Sequence, residues 1–306
     1  MKPTPKISIA AVTYRSAEDT KAFLKSVAET TTEPYEVVIV NNGADPETLD
    51  YLSSLSGAVT VLHNPVNLGI GHAMNQAMRA CRADYIVRSD SDVIIREPGW
   101  SQKMRALLDK HPAEVGAVGT AITGGVQFTG SKYTETDLIC SCFMMIHRRA
   151  CESIAQRAKD AASKILPRIS EFIHQKTGHD GYEGQISDAY MTAKWLLKPD
   201  GFWDSGWASL WGFDDFDYSY ALHWARLRLA KSDVLISHKD SSSRKGNEEL
   251  RHINAARGAQ YFRTKWSLIE DHWDDPEAKT HPGWHDLYFG LPALRAYRSR
   301  IEQNQQ

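Results

Sequence analysis

Tyr85-Ile86-Val87-Arg88-Ser89-Asp90-Ser91-Asp92-Val93 opens as a buried strand and then places two carboxylates one residue apart. In extended backbone, residues i and i+2 point to the same side. Asp90 and Asp92 can therefore converge on one spot just beyond the edge of a sheet. Two hard oxygen anions there suit a divalent cation that keeps some water and also takes phosphate oxygens. An Asp-rich solvated turn would produce the same triplet, so the neighbouring chain has to decide between them.

Working outward toward the N-terminus, strands alternate with helices. Lys6 to Thr13 reads as a strand, followed by Tyr14-Arg15-Ser16 and a helix that Ser16 can cap with Asp19 at the reciprocal position. Tyr35 to Val40 is a second apolar strand ending in Asn41-Asn42-Gly43, and Asp45-Pro46-Glu47 starts a second helix with Pro in its first turn. Val59 to Leu62 is a third strand, and a helix from about Gly71 to Arg82 leads into the opening stretch. Near-continuous apolar strands between helices predict a parallel sheet covered on both faces. Ligands of such sheets bind at the carboxyl ends of the strands, where Thr13-Tyr14, Asn41-Asn42 and Asp90-Ser91-Asp92 all fall. Between the third strand and its helix, Asn67-Leu68-Gly69-Ile70-Gly71 permits a tight loop of backbone N–H groups at a helix N-terminus, which favours an anion. A plain glycine hinge is the alternative there.

Composition removes some function classes. The 306 residues are 42% hydrophobic with a formal net charge of −2, as in an ordinary globular protein, and nothing global steers the chain toward nucleic acid. Cys81, Cys140, Cys142 and Cys151 form no Cys-x-x-Cys pair for zinc or redox work. No apolar run is long enough to span a membrane, and the first residues lack the apolar core of a secretion signal. The expectation is a cytoplasmic protein.

Toward the C-terminus, Leu138 to His147 is expected as a strand in which Cys140 and Ser141 are small residues. The stretch from Ala150 to about Gln175 has helical spacing with a break expected at Pro167, and Gly178-His179-Asp180-Gly181 reads as a turn before a helix around 187–197. The run Gly201-Phe202-Trp203-Asp204-Ser205-Gly206-Trp207 and Trp211-Gly212-Phe213-Asp214-Asp215-Phe216-Asp217 combines aromatic platforms with carboxylates, which suits a saccharide. Those aspartates also precede a helix whose N-terminus favours negative charge. Val234 to His238 is a strand ending in histidine. A helix from about Asn247 to Ile269 carries a basic, aromatic stripe that could either pack on the domain or touch an anionic membrane, and an amphipathic helix is expected around Trp284 to Ile301.

Thr13-Tyr14, Val40-Asn41-Asn42-Gly43, Asn67-Leu68-Gly69 with Asn75, and Asp90-Ser91-Asp92 occur in an order and spacing that resembles glycosyltransferase family 2. The resemblance implies a GT-A fold, an α/β, Rossmann-like and mostly parallel nucleotide-binding sheet with helices on both faces. The catalytic domain would span 1–246, with a nucleotide-sugar half about 1–125, an acceptor half about 126–246 and a helical insertion about 150–200; residues 247–306 would be a C-terminal helical extension.

It further implies a nucleotide-sugar site at Thr13, Tyr14, Arg15, Asn41, Asn42, Asn67, Gly69, Asn75, Asp90 and Ser91, and a Mn2+ or Mg2+ ion held by Asp92, Asp90 and His238. Asp215, or second Asp214, would be the catalytic base of an inverting transfer, with Trp207, Trp211 and Ser141 near the sugar or acceptor. Asp217 is expected to brace its helix or an arginine such as Arg226 or Arg228. The acceptor class stays open among saccharide, lipid-linked, protein and nucleobase hydroxyls, as does the nucleotide base, and peripheral contact with the inner membrane face through the C-terminal helices is compatible. One departure is the amide at Asn41 or Asn42 where the family often has Asp. A non-catalytic nucleotide- or saccharide-binding protein of the same fold and a nucleotidyltransferase are the competing readings. The latter needs a glycine-rich phosphate loop after the first strand, which Thr13-Tyr14-Arg15-Ser16 lacks.

Overall fold

The computed structural model describes residues 4–110, 112–123, 133–136, 139–177, 183–207, 214–239 and 248–270. The alternation read from the sequence is present: β1 (Ile7–Thr13), α1 (Ala17–Thr30), β2 (Tyr35–Asn42), α2 (Pro46–Ser53), β3 (Val59–Asn64), α3 (Ile70–Ala80) and β4 (Tyr85–Asp90). These four strands are parallel in the order β3-β2-β1-β4. Then follow β5 (Val93–Ile95), α4 (Trp100–Lys110), β6 (Val115–Thr123), β7 (Tyr133–Thr136), β8 (Phe143–His147), α5 (Arg148–Lys176), α6 (Glu183–Leu197), α7 (Asp214–Trp224), β9 (Arg228–His238) and α8 (Glu248–Glu270). The sheet continues β4-β8-β6-β9-β5, with β7 pairing β9. Beyond β4 it is mixed, since β8 runs antiparallel to β4 and β6 while β6 and β9 are parallel.

The period-2 alternation of the strands sorts their side chains onto two faces. Ile7, Ile9, Val37, Ile39, Val87, Phe143 and Met145 pack with Phe23 and Val27 of α1, Leu52 of α2, and Trp100, Met104 and Leu108 of α4. Ala10, Val38, Val40, Ile86, Met144 and Ile146 pack with α3 and with α5–α8 on the other face. Each fully buried aliphatic or aromatic side chain contributes about 1.5–3 kcal/mol relative to exposure. Arg88 shares its strand face with Ile86, and so enters the second layer, where it is 3% exposed.

Several expectations are corrected. Pro167 does not break the helix; α5 is continuous through it, with Ile154, Ala158, Ile165 and Ile169 buried on either side. A proline removes one helical hydrogen bond, and this apolar stripe outweighs that loss. The strand expected from Leu138 begins only at Phe143, and Cys140 and Ser141 lie in the connection before it. Ser16 does precede α1, but its hydroxyl donates to Asp19 (2.9 Å) instead of accepting from the helix backbone. The short strands β5 and β7 were not foreseen.

In α8, Tyr261, Phe262, Lys265, Trp266, Leu268 and Ile269 are buried, so this part of the basic, aromatic stripe faces the protein interior. Lys265 Nζ donates to Asp204 Oδ2 (2.9 Å) and to both oxygens of Asp217 (2.8 and 2.9 Å), and lies 3.9 Å from the centre of the Trp195 ring. The partner of Asp217 is thus Lys265, not Arg226 or Arg228. Among the described residues no helix is long and apolar enough to cross a membrane. His179, Asp180, Trp211, residues 240–246 and the helix expected around 284–301 lie outside the described residues.

Candidate functional site

The site is built where β4 leaves the sheet. β4 lies between β1 and β8, and the Asp90 N–H donates to Cys142 O (2.8 Å), fixing the end of the strand. The chain turns through Ser91 and Asp92 into β5, which pairs antiparallel with the end of β9 so that Val93 faces His238. The Lys239 N–H closes this arrangement on Asp92 O (3.1 Å). His238 Nε2 stands 3.2 Å from Asp92 Oδ1 and 3.6 Å from Asp90 Oδ2, and one ligand atom of each residue falls within 4.8 Å of the others. Two carboxylate oxygens and an imidazole nitrogen suit a divalent ion of the manganese type. The hydrogen bond to Asp92 holds the His238 imidazole above its ordinary pKa, and burial raises the Asp90 carboxyl despite the neighbouring Arg88.

Arg88 was missed as a site residue. Its Nη1 lies 2.7 Å from Asp90 Oδ1 and donates to Ser141 O; its Nη2 lies 3.8 Å from Asp214 Oδ2. Its guanidinium carbon sits 5.9 Å from the centre of the Trp203 ring, which stacks on Tyr218 at 3.9 Å. The sequence held a signal: an arginine inside an apolar strand, two residues before an aspartate, is rarely buried without a partner.

Asp214 and Asp215 open α7, where unpaired backbone N–H groups favour carboxylates. Asp215 Oδ1 accepts from the Phe216 N–H (3.0 Å). Burial, reinforced by the negative charge of Asp214, pushes the Asp215 carboxyl well above the ordinary carboxylate range. Through Arg88, the start of α7 is therefore connected to the end of β4.

The residues expected around the nucleotide are held in several ways. Thr20 gives its hydroxyl proton to Ser16 O (2.7 Å), so the buried Thr13 hydroxyl donates to Thr20 Oγ1 (2.7 Å). Tyr14 is 37% exposed, and Arg15, in the left-handed region at φ 50°, lays its guanidinium 5.0 Å from the Tyr14 ring centre.

Asn41 and Asn42 are each 3% exposed and are bonded within the protein. Asn41 bonds His63 Nδ1 (3.1 Å) and the Ala44 N–H (2.7 Å). Asn42 donates to Asn67 Oδ1 (2.9 Å) and accepts from Asn64 Nδ2 (3.1 Å) and the Leu68 N–H (3.0 Å). These amides shape the loop ahead of α3, whose turn at Gly69 adopts φ 83°. Asn75 donates from α3 to Trp203 O (2.6 Å), bringing the 203 segment over the sheet. Ser91 is buried, Ser141 is the Arg88 acceptor, and Trp207 closes a single 3₁₀ turn, Ser205–Trp207.

Comparison with known proteins gives one consistent result. Residues 8–153 match the family model described as Glycosyl transferase family 2. The chain is 25% identical over 161 residues to an uncharacterized glycosyltransferase of Haemophilus influenzae, covering 50% of this chain and 49% of that protein. It is 30% identical over 239 residues to the uncharacterized glycosyltransferase YfnE of Bacillus subtilis, covering 72% of this chain and 61% of that one. The chain thus spans less than two thirds of the length of these relatives.

Among solved structures, GalNAc-T7 with UDP, GalNAc and Mn2+ superposes with a TM-score of 0.58 at 13% identity, covering 98% of this chain and 55% of that one. The mannosyltransferase PcManGT from Pyrobaculum calidifontis, in complex with GDP-Man and Mn2+, superposes with a TM-score of 0.54 at 15% identity, covering 98% and 76%. Those likenesses establish the GT-A fold. Over residues 8–153, which include the strand whose end carries Asp90 and Asp92, the chain matches glycosyl transferase family 2.

Proposed function

We propose that the chain transfers a sugar from a nucleoside-diphosphate sugar to an acceptor hydroxyl, with inversion at the anomeric carbon. The observation that carries this reading is the convergence of Asp90, Asp92 and His238 at the end of β4, joined through Arg88 to the Asp214–Asp215 pair. Asp92, Asp90 and His238 would hold a divalent cation, and a cation there supplies charge neutralisation for the departing diphosphate. The Mn2+ in both solved neighbours supports manganese as that ion.

Asp215 is the general base in this reading. A base must come within about 2.6–3.2 Å of the acceptor hydroxyl and have a pKa near the working pH. Burial and Asp214 raise the Asp215 carboxyl in that direction. Asp214 lies nearer a cation, Arg88, and is assigned to placing the pair. As the hydroxyl attacks from the face opposite the diphosphate, Asp215 takes its proton, and a single displacement inverts the carbon.

UDP-, dTDP- and GDP-sugars incubated with the protein and Mn2+, without acceptor, test the reading. Slow release of the nucleoside diphosphate from at least one donor is expected, and chelation should stop it. Binding without any release across the panel would identify a non-catalytic binder of the same fold.

A further inference from the structure

The charge balance of the site rests on Arg88. It is buried, it lies one alternation before Asp90 on the same face of β4, and it is the described cation that reaches both the β4 end and the start of α7. Its two terminal nitrogens are divided: Nη1 takes Asp90 Oδ1 and Ser141 O, and Nη2 faces Asp214 Oδ2. With Oδ1 held at 2.7 Å, only Oδ2 of Asp90 remains on the His238 side. The Trp203 ring lies against the guanidinium and is itself stacked on Tyr218 of α7, so the fork is held from the helix side as well. A planar guanidinium holds its donors in the fixed directions of a rigid fork; an ammonium is a compact charge on a flexible stem without that fork.

We propose that Arg88 is a positioning residue with two effects, resting on the glycosyltransferase reading only for the second. It restricts Asp90 to one oxygen toward the cation and places a compensating positive charge one carboxylate away. It also ties Asp214, and hence the first turn of α7, to the strand that carries the cation ligands, so that the base and the donor clamp keep one spacing. Cation affinity is thereby held below what the carboxylates alone would give, in exchange for a fixed geometry.

Titration of Mn2+ alone into the full chain, followed by calorimetry, separates this from a merely structural role. Arg88→Gln removes the charge and keeps a donor for Ser141 O. It should bind Mn2+ about tenfold more tightly, because the opposing positive charge is gone and Asp90 regains its second oxygen. A mere loss of packing would weaken Mn2+ binding, so unchanged or weaker affinity in Arg88→Gln overturns the proposal.

Arg88→Lys keeps the charge but not the fork. It should keep Mn2+ affinity within about twofold, while turnover of the donor falls at least about tenfold with little change in donor KM. Wild-type turnover in a folded Arg88→Lys protein would contradict the bridging role even if Arg88→Gln did not fold. If the wild-type protein turns over no nucleotide sugar, the functional reading fails, and the Mn2+ affinities still decide the role of Arg88.

Discussion

Two clusters in this molecule each join a pair of aspartates to one basic side chain, and they are built in opposite ways. In the Asp204–Asp217–Lys265 cluster the side chains are 0–4% exposed, and Lys265 lies 2.8–2.9 Å from its partners. Every carboxylate oxygen there has a protein donor: Gly206 N–H and Tyr261 Oη–H on Asp204, and Trp266 Nε1–H and Lys265 on Asp217. In the Asp90–Asp92–His238 cluster the side chains keep 31%, 11% and 16% exposure, and the gaps are 3.2–3.6 Å. The first cluster is closed by its own protein and locks α8 and the 204–206 turn to α7. The second keeps donor atoms directed at a shared space. Similar residue types are therefore closed off by the protein in one place and, in the proposed reading, left to a ligand in the other, and the difference lies in how many of their oxygens the chain itself satisfies.

That contrast can be broken by substitution. Asp215→Asn should leave donor binding in place and lower turnover by about 10²–10⁴-fold, the usual cost of removing a general base; single-turnover assays would show it, and near-normal turnover would remove Asp215 from the role. Lys265→Met should leave the cation site unchanged in kind but cost the fold about 3–5 kcal/mol, because Asp204 and Asp217 would remain buried without their cation. Urea denaturation measures this, and a loss below about 1 kcal/mol, the range of exposed pairs, would show that the closed cluster is less critical than its geometry indicates.

Gly43→Ala should cost about 1–3 kcal/mol. Its φ of +84° disfavours a side chain, and a Cβ there would meet Asn67 N at 2.7 Å. Thermal melts would register this without loss of Mn2+ binding.

The smallest expected effect concerns pH. Asp215 binds its proton more tightly in the folded state than an ordinary carboxyl does, because burial and Asp214 raise it. Its contribution to stability is therefore fully present below the ordinary carboxylate range and is lost as pH rises through the raised value. Asp215→Asn should be modestly more stable than wild type at neutral pH, with the difference vanishing in acid. A variant that is less stable at every pH would contradict the cause given for the shift.

The nucleotide half was legible because its rules are local. Near-continuous apolar strands, Pro46 in a helical first turn and a glycine loop predict β1–α1–β2–α2–β3–α3–β4 in order, and the start of α2 is capped by Asp45 Oδ1 accepting from the Thr48 N–H (3.0 Å). Asp90, Asp92 and His238 were named from the sequence, but their proximity depends on β5 pairing with β9, a contact between distant strands that no local pattern reveals. The spacing of Arg88 and Asp90 hinted at a buried pair, but the second partner of Arg88 and the role of Lys265 were illegible for the same reason. A basic residue among apolar ones reads equally as a solvated edge or a buried pair until the tertiary fold supplies Asp214 to one and Asp204 to the other. For Asn41 and Asn42 the sequence showed polar residues at a strand end but not their bonds to His63, Asn64 and the loop ahead of α3, which only the tertiary fold supplies.

The most direct test of the donor-side clamp is calorimetric titration of UDP and of GDP into wild-type protein and into Asp92→Ala, each with Mn2+ and with chelator. At least one nucleotide should bind wild type more tightly with Mn2+ than without, and Asp92→Ala should abolish that difference while remaining folded. Equal affinity with and without Mn2+ in the wild-type protein, or an undiminished Mn2+ effect in Asp92→Ala, would contradict the assignment of Asp90, Asp92 and His238 as the cation site.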